Sequence, residues 1–243
     1  MAAAVAVGAV LGALLHSFGV GEPSPVGAEA ADAEDRGSAS VGGAVVEREE
    51  GVPTAAVTAG ETGVLRIEAG GCGAVRQASA TVVDDGGRVV VLTNAHVVRG
   101  SGTALVRSPS GAVVSAQVTG SVQGRDAAVL ELDEGDTHEV EALEIGPPPQ
   151  VGHELVVVGH PEGHLHAGSG VLRAIERRAG YDGSSDVLLV DSQVRGGSSG
   201  GAVLDAEGRL VGLVAAKDPS TGWAVAYPIA EVLGRGSGVV PGC

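Results

Sequence analysis

The amino-acid sequence predicts an all-β protein. Only 2% of the residues are aromatic, while 44% are hydrophobic. The core must therefore be built from Val, Leu, Ile and Ala. Valine-rich runs alternate with clusters of Gly, Asp, Ser and Pro, and there are 41 glycines in all. That pattern reads as strands joined by turns, since β-branched residues suit a pleated surface. Long runs of helical period are few. At 243 residues the chain suits one large all-β domain or two small ones.

Charge and cysteine content narrow the function classes. Lys and Arg number 15 against 30 Asp and Glu, a formal charge of −15. Such a surface argues against nucleic-acid binding and disfavours anionic lipid heads. The two cysteines, Cys72 and Cys243, are too few for a four-cysteine zinc site. They pair in an oxidising compartment, or they are free thiols in a cytosolic chain. Composition leaves both readings open.

Residues 2–15 are apolar without interruption. The run is short for a membrane span, which needs roughly 20 residues, and no Lys or Arg precedes it as in an export signal. Its Ala and Leu content still fits a span or an export signal better than a core helix. Segment 1–21 is therefore expected to be a transmembrane or signal-like hydrophobic helix. The missing basic start also fits the last span of a longer membrane region. Residues 22–61, rich in Ala, Gly, Pro and acid, read as a mobile linker. The domain is then expected over 62–243.

Within it, residues 63–68 (GVLRIE) alternate as a first strand, and 74–83 form a second. Asp84-Asp85-Gly86-Gly87 is a hairpin signal leading into a third strand at 88–92. Residues 102–107, 112–119 and 127–132 are the next three. Three prolines at 147–149 punctuate the middle of the domain. Strands follow at 151–159, 168–176, 186–191, 210–216 and 223–226, with a short helix expected at 228–233.

Three stretches carry chemistry. Residues 194–204 (VRGGSSGGAVL) set two serines between glycine pairs. A nucleophilic serine needs a tight backbone that exposes its hydroxyl and aims nearby N–H groups at a developing oxyanion. Residues 92–98 (LTNAHVV) supply a histidine, and 124–132 (GRDAAVLEL) an aspartate at the mouth of an apolar strand. Taken together, these stretches resemble the trypsin-like (chymotrypsin-fold) serine peptidases, in which the same three motifs recur in this order. That resemblance implies two six-stranded antiparallel barrels, about 62–146 and 150–233, with the prolines at the crossover. It implies serine endopeptidase activity on polypeptides, with neither metal nor cofactor. His96 is the implied general base, Asp126 the orienting carboxylate and Ser199 the nucleophile. Ser198 competes for that last role, but the family places the nucleophile directly before the Gly-Gly pair. The N–H groups of Gly197 and Ser199 match the oxyanion hole, and Gln193 the base of the primary pocket. Val214, Ala215 and Ala216 match the strand that pairs with substrate backbone. A neutral Gln193 implies no strict selection for basic side chains.

The closer resemblance is to actinobacterial membrane-anchored periplasmic proteases implicated in acid resistance. In these a cysteine just inside the domain pairs with one near the carboxyl end, which implies a Cys72–Cys243 bridge. It also implies a domain held at the cell membrane on its extracytoplasmic side by the N-terminal segment. No PDZ domain is expected after Leu233. A second histidine cluster, His153, His160, His164 and His166, reads as a solvated loop; a metal would need a third ligand beside His164 and His166. Two other functions stay open: an inactive peptidase-like binding domain, and an ester hydrolase using the same triad.

Overall fold

Alternating valine-rich strands curl and close on themselves here, which removes exposed sheet edges. The computed structural model describes residues 46–180, 183–233, 237–240 and 242–243. All of these lie within the compact unit Ser38–Cys243. The apolar segment 1–21 lies outside the described residues. Among them, no helix is long and apolar enough to cross a membrane.

The elements run in order β1 (Val46–Arg48), α1 (Thr54–Gly63), β2 (Val64–Gly71), β3 (Ala74–Asp84), β4 (Val89–Thr93), β5 (Thr103–Arg107), β6 (Val113–Val122) and β7 (Ala128–Leu132). After the crossover come β8 (Glu154–Gly159), β9 (Leu165–Gly180), β10 (Gly183–Gln193), β11 (Ala202–Leu204), β12 (Leu210–Lys217), β13 (Trp223–Pro228), α2 (Ile229–Val232) and β14 (Ser237–Gly238). The first barrel has six strands in the order β6-β5-β2-β3-β4-β7 and closes between β6 and β7. The second has six in the order β9-β10-β13-β12-β11-β8 and closes between β8 and β9. Both barrels are antiparallel throughout, as expected. The crossover touches each in turn: Leu143 bridges to Val83 and Ile145 to Leu210.

Three apolar clusters hold this together. One, with Leu65, Ile67 and Leu130, belongs to the first barrel, and one, with Leu155, Leu172 and Leu188, to the second. The largest draws on both barrels and on α1, joining Val83 and Leu92 to Val158 and Leu213. Strand β8 shows how one sequence serves two clusters. Leu155 and Val157 face one way and Val156 and Val158 the other, as the two-residue period requires.

The ends of the chain correct the expected boundaries. Residues 46–61, expected as the close of a linker, form β1 and most of α1. Strand β1 runs parallel to β9, pairing Glu47 with His166. In α1, Ala56 and Val57 are buried in the shared cluster. The helix escapes the sequence pattern because its contacts depend on small residues. A Cβ on Gly60 would stand 2.7 Å from a Val158 methyl, and one on Gly63 would stand 2.5 Å from Leu143. Strands β9 and β10 are also longer than the expected 168–176 and 186–191. At the other end β14 pairs with β6 of the first barrel. Cys243 is disulfide-bonded to Cys72, with Cα atoms 5.3 Å apart. The bridge lies against the turn after His96: a Cβ on Gly100 would be 2.4 Å from the Cys243 sulfur.

A domain started at Thr62 is expected to be less stable than one started at Ser38. It lacks β1 and the buried Val52, Ala56 and Val57, worth at least about 3 kcal/mol by area. Urea unfolding of the two forms checks this, and equal midpoints would contradict the assignment of α1 to the core.

Candidate active site

Strand β4 delivers Thr93 and then a turn in which the Val97 N–H donates to the Asn94 carbonyl at 3.1 Å. This turn carries His96. Its Nδ1 lies 2.5 Å from Asp126 Oδ2, and its backbone N–H donates to Asp126 Oδ1 at 2.8 Å. A carboxylate only accepts, so Nδ1 carries the proton and Nε2 is left as the basic nitrogen. The Asp126 side chain is 16% exposed and that of His96 43%, so the pair is buried at the carboxylate and open at the imidazole.

Asp126 sits between β6 and β7, and two further residues, assigned no role from the sequence, hold its backbone. Asn94 Nδ2 donates to the Asp126 carbonyl at 2.5 Å. The Asp126 N–H donates to the Tyr227 hydroxyl at 3.1 Å, across from the second barrel. Burial raises the Tyr227 pKa, so the phenol stays neutral. Next to it the buried Arg125 pairs with Glu231, which follows β13. Asn94 stands in the motif LTNAHVV and was legible there; Tyr227 lies 101 residues from Asp126 and left no local signal.

Ser199 occupies the turn between β10 and β11. Gly197 there has φ +98° and Gly200 φ +80°, the left-handed region that favours glycine. The Ser199 carbonyl accepts from the Ser79 N–H at 2.9 Å, and the Gly200 carbonyl from Thr81 Oγ1 at 2.9 Å. The Ser198 N–H donates to Arg195 and the Gly200 N–H to Val214. Among the described residues, the N–H groups of Gly197 and Ser199 have no acceptor. Ser198 is buried while Ser199 is partly exposed.

Gln193 ends β10 with its side chain exposed, and its amide reaches the Thr221 carbonyl at 3.4 Å. Val214 differs from the expected pattern. Its N–H donates to Gly201 and its carbonyl accepts from Gly200, so it braces the Ser199 turn. Ala215, Ala216 and Lys217 continue β12 past it. Beside them a cavity of about 330 Å³ is lined by Asp126, Ala215, Ala216, Ser185, Val225 and Tyr227.

The four histidines do not converge. His153 Nδ1 accepts from the Gln150 N–H at 3.3 Å. His166 lies beside Glu47, Glu49 and Arg195; burial, then Arg195, lowers its pKa against the opposing effect of the glutamates. His160 turns inward instead of into solvent, and among the described residues its Nδ1 is buried without a hydrogen-bond partner. Among the described residues no three His, Cys, Asp or Glu side chains gather as a metal site would need.

The family model for the trypsin-like peptidase domain matches residues 78–213. The chain therefore belongs to the trypsin-like serine peptidases. It is 31% identical to HhoA of Synechocystis sp. over 160 residues, 63% of this chain and 40% of that protein. The chain thus spans about two fifths of the length of curated relatives it matches. Among solved structures, the active form of the Rv3671c protease from M. tuberculosis superposes with a TM-score of 0.68 at 24% identity. The match covers 82% of this chain and 93% of that one, and it shows a shared fold. The HtrA-type protease AlgW, solved with a tripeptide, has a TM-score of 0.65 at 26% identity, covering 73% of this chain and 60% of that one.

Burial, then the charges of Arg66 and His164, lowers the His160 pKa from 6.5 to about 4. The folded group binds its proton less readily than the unfolded one. Stability is then expected to fall as pH drops from about 6.5 to about 4 and to level off below. His160→Gln is expected to remove that part of the pH dependence, on the order of 3 kcal/mol. Chemical denaturation of both proteins across this range checks it. Parallel profiles would contradict the buried neutral imidazole.

Proposed function

We propose that this chain is a serine endopeptidase acting through an acyl-enzyme. Ser199 attacks the scissile carbonyl. His96 Nε2 takes the hydroxyl proton and later gives it to the leaving amine. Asp126 holds the imidazole with its proton on Nδ1 and stabilises the imidazolium. The N–H groups of Gly197 and Ser199 receive the oxyanion, each such donor being worth about 3 kcal/mol in the transition state. The single observation that carries this reading is the fold's arrangement of polar groups. A histidine–carboxylate pair stands on one barrel, and on the other a glycine-braced serine turn keeps two N–H groups without acceptors. The intact set speaks against an inactive binding domain, and the family to which the chain belongs favours peptides over esters.

Substrates are proposed to be exported or envelope polypeptides, met by a domain on the extracytoplasmic side of the membrane. The apolar run 2–15 supports this, as does the Cys72–Cys243 bridge, since such bridges persist in oxidising compartments. Backbone pairing is proposed along Ala215 and Ala216, with Gln193 at the base of the primary pocket.

Ser199→Ala is expected to lower kcat about 10⁶-fold and abolish fluorophosphonate labelling, while Ser198→Ala keeps much of both. Turnover of a peptide library beside a matched ester series checks the nucleophile and the substrate class together. Full activity of Ser199→Ala would defeat the assignment.

Mass-spectrometric mapping of cleavage in a denatured protein is expected to show no strict requirement for Arg or Lys before the cut. Strict basic cleavage would mean that an acid other than the neutral Gln193 lines the pocket.

A further inference from the structure

Ser79 lies in the middle of β3 in the first barrel, with no exposed surface. Each of its polar groups has a partner. The N–H donates to the Ser199 carbonyl at 2.9 Å, and the carbonyl accepts from Thr93 Oγ1 at 2.8 Å. The hydroxyl makes two further bonds, both into the second barrel. It accepts from the His160 N–H at 2.8 Å and lies 2.7 Å from the Gly197 carbonyl. A carbonyl cannot donate, so the hydroxyl proton points at Gly197.

Gly197 needs an external restraint. Glycine adopts many backbone rotations at similar energy, and this one holds φ +98°. Two walls confine it. The Ser79 hydroxyl takes its carbonyl, while the segment after β8 covers its Cα: a Cβ there would stand 2.8 Å from the His160 carbonyl and 3.2 Å from the Pro161 Cα. The hydroxyl touches both walls, because the same oxygen receives the His160 N–H. With that bond in place the Ser198 N–H turns to Arg195 at 3.1 Å, and the N–H groups on either side of it are left without acceptors. Remove the hydroxyl and the Gly197 carbonyl must rotate toward another donor, since a buried carbonyl left unpaired is costly. The Ser198 N–H shares that peptide plane and turns with it, away from Arg195. The planes on either side, which carry the N–H groups of Gly197 and Ser199, shift in turn.

We propose that Ser79 is a positioning residue. Its hydroxyl holds Gly197 in the rotation that presents the oxyanion donors, and it locks that rotation to the His160 segment. This inference rests on the peptidase reading above. It assigns Ser79 no contact with substrate.

The test compares Ser79→Ala with wild type in the full chain, using a peptide substrate and the peptide aldehyde of the same sequence. The aldehyde's hemiacetal oxygen mimics the oxyanion. Expected are a kcat lower by about 10- to 100-fold, a nearly unchanged KM, and aldehyde inhibition weakened by the same factor. Amide hydrogen exchange at residues 197–199 should rise in the variant without substrate present. Should Ser79→Ala not fold, Ser79→Cys keeps the volume with a weaker donor and is expected to show the same split. Unchanged kcat and aldehyde affinity in a folded variant would overturn the proposal. So would a loss confined to KM or to melting temperature, which marks a merely structural role. Both outcomes presuppose an active wild type. A wild type with no turnover would instead defeat the peptidase reading, and unchanged exchange at 197–199 would defeat the restraint whatever the turnover.

Discussion

Carbonyl groups in the turn 197–200 must be satisfied before its N–H groups can stay open, and β3 supplies most of the donors. Ser79 and Thr81 are two residues apart, so the pleat puts both hydroxyls on one face. From there they meet the carbonyls of Gly197 and Gly200, while the Ser79 N–H meets that of Ser199. The Ser198 carbonyl is taken within the turn by the Gly201 N–H. A buried carbonyl without a partner costs about 1–3 kcal/mol, enough to rearrange so short a loop. The contact is backbone against backbone: a Cβ on Gly200 would stand 2.3 Å from the Ser79 carbonyl oxygen. The glycine pair after Ser199 therefore does two things. It bends the turn, and it lets one barrel approach the other closely enough for these bonds to form.

The chain ends exchange places around this contact. The first described strand, β1, joins the second barrel, and the last, β14, joins the first. Glu49 accepts from the Ser169 N–H at 3.1 Å beyond β1, and the Cys72–Cys243 bridge secures the other end beside the His96 turn. Each barrel is thus completed by residues far away in sequence. The carboxylate paired with His96 shows the same principle on a smaller scale. Asp126 belongs to the first barrel, yet its N–H rests on Tyr227 of the second.

What could be read from the sequence was what is local. His96, Asp126 and Ser199 each sit in a short motif whose neighbours are fixed by turn geometry. The strand periods were legible because alternation survives in β2, β5 and β6. The segment 46–61 was not. Its Ala, Gly and Glu content is that of a linker, and only Val158 opposite makes Gly60 a packing residue. Ser79 and Tyr227 were missed for a related reason. Their partners lie 118 and 101 residues away, and a hydroxyl in an apolar strand gives no sign of which distant group it meets. The run ASATVV did hold a hint: two hydroxyls at alternate positions inside a buried strand require partners. His160 was read as solvated because it sits among glycines and other histidines. Its backbone is held by distant groups, the N–H donating to Ser79 and the carbonyl lying against Gly197, and neither contact has a local signal.

The exchange of chain ends sets a schedule for biogenesis. Domains usually fold from the amino end as they are made, and the six strands of the first barrel emerge before any of the second. They emerge, though, without their disulfide partner at Cys243, without β14, and without the turn that fills the donors of β3. The earliest part of this domain to appear is the last to be finished. A chain grown only as far as the first barrel holds the His96–Asp126 pair without the turn at 197–200, so the order of synthesis itself keeps the two halves of the proposed site apart until the second barrel has been made.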